Sequence, residues 1–176
     1  MIENNIMDLM KDIVYGWVDK NGLNHLKDFE TFSSDYRLQS PEELIKSKIG
    51  VCWDQVELER YYFEKNNIKV KTYFLVHYDG GKCPTHTFLV FKKNDKYYWF
   101  EHSWEIFKGI HEYDSLSSLL SDIRNKFITN ELHNEYIDEY LVLHEYEAPQ
   151  SGLNVQGFFT HCDNGKYIDI DTINWL

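Results

Sequence analysis

Apolar residues recur at helical spacing from the start of the chain. Ile6, Leu9, Met10, Ile13, Val14 and Trp17 form one stripe, which predicts an amphipathic helix over 2–18. The stretch SPEEL is the next punctuation: Ser40 can cap a helix, Pro41 suits its first position, and Glu43 completes an S-x-x-E capping box. That short helix ends near Gly50. From Val51 the spacing is helical again through Gln55, Leu58 and Tyr62, with Val56 and Phe63 widening the face. This predicts a helix over 52–65 that stops at Asn66-Asn67.

The period then changes. Residues 68–78, IKVKTYFLVHY, are rich in β-branched and aromatic types and read as a strand. A loop, DGGKCPT, leads into HTFLVFKK, a turn at Asn94-Asp95, and KYYWFEHSW, which together predict a β-hairpin. Both faces of HTFLVF are apolar, which places it inside a sheet rather than at its edge. Helical spacing returns over 115–128 with Asp114 as the expected cap, and 137–146 reads as a strand. Residues 150–176 read as a loop-rich closing segment with one or two short strands. Helices followed by a sheet, with one helix inserted late, is an α+β pattern, and no linker or repeat divides the chain, so one domain over 1–176 is expected.

Composition narrows the function. A net charge of -11 opposes phosphate backbones, so nucleic acid is not an expected partner. No apolar run approaches a membrane span, and the N-terminus carries acidic residues where a signal peptide has basic ones. Three cysteines do not make a secreted disulfide framework, so a cytoplasmic setting is expected.

Each thiol is therefore judged by its neighbours, and Cys52 in GVCWD stands at the start of the 52–65 helix. A helix N-terminus contributes partial positive charge and free N–H groups, both of which favour a thiolate. His86 opens the most hydrophobic strand and shares a face with Phe88 and Val90. It is a satisfied core histidine or a base aimed at something. Glu101 lies among aromatic residues on the partner strand, where a carboxylate is costly unless paired. With a two-residue turn at Asn94-Asp95, positions 88 and 101 face each other, which leaves Glu101 within reach of His86. His102, Asp95 and Glu105 are alternative third members. Backbone N–H groups at the helix start, with Gln39, are expected to bind an oxyanion.

A cysteine at a helix start, a histidine at a strand start and an acid on the next strand resemble the transglutaminase-like superfamily of papain-like thiol enzymes. GVCWD, THTFLVF and YYWFEHSW carry the resemblance, which is strongest over 40–105. It implies a small, single-domain member of bacterial type, with N-terminal helices and a catalytic helix packed on an antiparallel sheet. Carried over, it makes Cys52 the nucleophile, His86 the base and Glu101 the orienting acid, where the family usually has Asp. The implied activity is a cysteine peptidase, amidase or acyltransferase acting on a peptide, protein or small amide, with no cofactor and no metal. Two other readings are an inactive binding module and a zinc-stabilised domain using Cys83, His86, His161 and Cys162. The H-C pair at 161–162 is poor spacing for zinc.

Overall fold

The computed structural model describes residues 1–176. The capping box forms as the sequence predicts. Ser40 Oγ accepts from Glu43 N–H and Glu43 Oε2 accepts from Ser40 N–H, opening a helix over Pro41–Ser47 that ends on Lys48 in the left-handed region. A longer helix follows over Cys52–Lys65. With the shorter helices Ile2–Leu9 and Phe32–Asp35, these are α1 to α4 in chain order: α1 (Ile2–Leu9), α2 (Phe32–Asp35), α3 (Pro41–Ser47) and α4 (Cys52–Lys65).

One short strand pair lies among these helices, outside the main sheet. β1 (Trp17–Val18) and β2 (Asn24–His25) make a small ribbon between α1 and α2. The main sheet holds β3 (Val70–His77), β4 (Thr85–Lys93), β5 (Lys96–Glu101), β6 (Gly109–Tyr113), β7 (Leu141–Tyr146) and β8 (Lys166–Tyr167), all antiparallel, in the order β6-β5-β4-β3-β7-β8. β4 is interior, as its two apolar faces require. Asn94 and Asp95 both take positive φ, the geometry of a two-residue hairpin turn that matches strand twist. The register that follows pairs Leu89 with Phe100 and Val90 with Trp99, so Phe88 and Glu101 are the next positions along.

One face of the sheet packs on α5 (Leu116–Asn130): Tyr73, Leu75, Phe88, Val90 and Trp99 meet Leu119, Leu120, Ile123 and Phe127. The other face packs on α4, with α1 at one end and α6 (Val155–Asp163) at the other. The architecture is α+β with three layers, and α4 is enclosed: every residue from Val51 to Arg60 is buried.

Three expectations are corrected. The helix over 2–18 ends at Leu9, and the chain then turns. Val14 leaves the stripe to bridge Ile49, and Trp17 pairs with His25, so backbone pairing overrides helical periodicity and leaves Leu9 exposed. The closing segment contains α6, whose Asn154 caps Gly157 N–H and whose Phe158 and Cys162 are buried. The cap of α5 is Ser115, not Asp114: Ser115 Oγ accepts from Ser118 N–H at 3.0 Å, while Asp114 pairs with Lys96. Ser115→Ala should therefore cost about 1 kcal/mol, and Asp114→Ala should cost clearly less because its ion pair with Lys96 is exposed to solvent, as read by urea unfolding.

Candidate functional site

Glycine at position 50 permits the approach that builds the site. A β-carbon there would lie 2.9 Å from Asp54 Cβ and 2.8 Å from Leu44 Cδ1, too close for any larger residue. Asp54, in the first turn of α4, reaches back to accept from Val51 N–H at 3.0 Å. It also accepts from Gln39 N–H at 2.9 Å and Tyr36 O–H at 3.0 Å. Three donors hold the carboxyl, yet burial outweighs them and pushes its pKa up to about 7. The result fixes the entry to α4 and places Cys52 as its first residue, beside N–H groups that have no intrahelical acceptor.

The β4–β5 ladder begins at Leu89↔Phe100, so the start of β4 has β3 on one side and no strand on the other. The first turn of α4 reaches that open margin, where Trp53 Nε1–H donates to Thr85 Oγ1 at 3.1 Å. His86 stands there, paired across to Leu75 and 4.7 Å from the Trp104 ring. Its Nε2 donates to Glu101 Oε2 at 2.7 Å. Burial opposes a charge on the ring, but the Glu101 carboxylate and the adjacent Cys52 sulfur outweigh it and raise His86 to about pKa 10.

Glu101 is 2% exposed and has no idle oxygen. Oε2 also accepts from Trp99 Nε1–H at 3.2 Å. Oε1 accepts from Ser103 O–H at 3.0 Å and Trp104 N–H at 2.9 Å. Burial alone would raise its pKa, but the imidazolium and these donors lower it. Behind the three groups, His102 Nδ1–H donates to Gln55 Oε1 at 2.6 Å, and Gln55 Nε2 donates to Gly50 O at 2.8 Å. This link ties the end of β5 to the start of α4. Burial and Lys108 lower His102 to about pKa 4, so it is a neutral strut.

The structure thus brings Cys52, His86 and Glu101 together and leaves the alternatives elsewhere. Asp95 is in the distant exposed turn, Glu105 pairs with Lys108 in solvent, and His102 is committed to Gln55. Gln39 is also spoken for, which corrects its expected role at an oxyanion. Its Nε2 donates to Ile49 O at 2.7 Å and its Oε1 accepts from Ser47 O–H at 2.6 Å. The sulfur and nitrogen atoms considered for zinc do not converge: His161 donates to Glu147 O, and no three His, Cys, Asp or Glu side chains are placed to hold a metal.

Reading the sequence alone missed Asp54, Gln55 and Ser103. Asp54 had a visible signal, an acid three residues after the helix boundary. Gln55 and Ser103 had none, because their partners come from distant segments. Cys52 and His86 are 5% and 6% exposed, and none of the five principal cavities is lined by either. No helix is long and apolar enough to cross a membrane.

Among curated proteins none matches the chain. A protein family described as a transglutaminase-like domain matches residues 4–147, which span the buried thiol, the imidazole and the carboxylate together with the helices and strands that hold them. The chain therefore belongs to the transglutaminase-like domain family.

Proposed function

We propose that this chain is a thiol-dependent acyl-transfer enzyme, hydrolysing an amide or passing its acyl group to an amine, with Cys52 as nucleophile. The supporting observation is the 2.7 Å bond from His86 Nε2 to a fully occupied Glu101 carboxylate. That bond fixes the tautomer and leaves Nδ1 for the sulfur.

At neutral pH His86 rests as an imidazolium, with the proton given up by Cys52 on Nδ1 and its charge held by Glu101. The thiolate attacks the substrate carbonyl carbon, and the oxygen becomes an oxyanion beside the first N–H groups of α4. As the C–N bond breaks, Nδ1–H returns the proton to the leaving amine. Water or a second amine, deprotonated by the same ring, then attacks the thioester and frees Cys52. Glu101 has one methylene more than the aspartate usual in this role, and its four hydrogen bonds hold the longer side chain in one place.

A binding module without turnover is the second reading, and the burial of Cys52 favours it. Intact-mass measurement after brief exposure to p-nitrophenyl acetate separates the two. The enzyme reading expects an acyl adduct that maps to Cys52 and is absent in Cys52→Ala. The module reading expects no adduct at that position.

A further inference from the structure

A cleft of about 600 Å³ lies beside the segment that leads into α4, and Cys52 does not line it. The β1–β2 ribbon, α3 and the turn at 151–152 form its walls, and residues 37–39 form its floor, where Leu38 and Gln39 are buried. That volume falls in the range of small-molecule sites and is far more than an inorganic ion needs.

In a chain of net charge -11, three cations line this one cleft: Lys20, Arg37 and Lys46. The two acids beside them are engaged. Asp19 Oδ1 accepts from Asn21 and Leu23 N–H, and its Oδ2 pairs with His25 Nε2 at 2.9 Å. Glu43 Oε2 accepts from Ser40 N–H in the capping box. Lys20 is paired with Asp35 at 3.1 Å, outside the cleft, whereas Arg37 and Lys46 have no carboxylate partner. Arg37 uses only Nη1, which donates to Tyr36 O at 2.6 Å and Ser34 O at 3.3 Å. The charge left free in the cleft is therefore positive.

The donors decide which anion it suits. Backbone N–H groups of the lining are already spent: Gly22 donates to Asp19 O, Leu38 to Leu153 O, Gln39 to Asp54 Oδ1 and Gly152 to Leu38 O. A phosphate cradle is built from free backbone N–H groups. This cleft offers a guanidinium edge, an ammonium group and the Asn24 amide, a set that suits carboxylates. Arg37 belongs to the floor and Lys46 to the α3 wall, so each can meet its own carboxylate. We propose that the cleft binds a small organic di- or tricarboxylate held by Arg37 and Lys46. Gln39 stands between this ligand and the entry to α4, donating its side chain to Ile49 O and its N–H to Asp54. The site is thus separate from the thiol, and its test does not depend on the chemistry of Cys52.

Isothermal titration of the full chain with citrate, at an ionic strength held constant with sodium chloride, tests this. Citrate should bind saturably at one site and more tightly than inorganic phosphate. Arg37→Gln and Lys46→Gln should each weaken citrate about tenfold, the loss of one charge-assisted hydrogen bond. Lys126→Gln, on α5 across the sheet, should leave it unchanged. Lys46 is exposed, so its variant guards against a folding defect in Arg37→Gln. No saturable binding of citrate overturns the site, as does a loss in Arg37→Gln and Lys46→Gln no greater than in Lys126→Gln. Phosphate binding as tightly as citrate overturns the assignment to carboxylates.

Discussion

Replacing His86 with alanine is expected to slow acylation of Cys52 by p-nitrophenyl acetate by about 100- to 10,000-fold at neutral pH, the range for a lost general base. The size of the effect follows from what the ring does. In the proposed mechanism it holds at Nδ1 the proton given up by the thiol, and it carries the resulting charge against Glu101, which is already held by Trp99, Ser103 and Trp104. No other base replaces it. His102 is neutral and bound to Gln55. Asp54 is turned back onto Val51, Gln39 and Tyr36. Glu59, on the same helix, is a buried acid whose pKa is raised by burial and by the charge of Glu101. Stopped-flow release of nitrophenolate reads the rate, and an unchanged rate in His86→Ala would remove the ring from the chemistry.

The largest effect on stability is expected at Glu101. Glu101→Ala leaves an imidazole and three further donors without their acceptor in a site closed to water. Breaking a buried ion pair from one side costs about 3–5 kcal/mol, which in a chain of this size lowers Tm by about 10 °C. The pH dependence gives a second signature. His86 titrates at about 10 in the folded chain against an ordinary 6.5, so its protonated form favours folding. That contribution is complete below pH 6.5 and fades as the pH rises through about 10. Glu101 is shifted the other way: its contribution is present above 4.5 and is lost as the pH falls through its depressed value. Thermal unfolding between pH 6 and 10 should show this decline in the native chain, and Glu101→Gln should flatten it. An equal slope in both would mean that the pair is not ionised.

Much of this arrangement is legible in residue order, for local reasons. The Ser40–Glu43 box, the Asn94-Asp95 turn and the alternation of HTFLVF are short-range signals. A two-residue turn sets register arithmetically, so the separation of His86 and Glu101 follows from it. What escaped depends on distant segments. Val14 and Trp17 continue a helical stripe in sequence, but Ile49 and His25 recruit them into extended pairs. The buried polar face of α4, with Glu57 paired to Arg60 and Gln55 to His102, cannot be told from a solvated face without its partners. The helix α6 is a different case. Asn154 as cap, with Val155, Phe158, Phe159 and Cys162 at helical spacing, is a readable signal.

The chain provides its own controls for the central claim, that Cys52 is a thiol activated by His86. Cys83 is a partly exposed free thiol, and Cys162 is buried in α6, where burial pushes its thiol far up. The most direct measurement is the rate of iodoacetamide alkylation at each cysteine, followed by peptide mapping from pH 5 to 9. Activation predicts that Cys52 reacts faster than Cys83 at about pH 6.5, where an ordinary thiol is almost wholly protonated, and that His86→Ala abolishes the advantage. Cys52 reacting no faster than Cys83 across that range would contradict it.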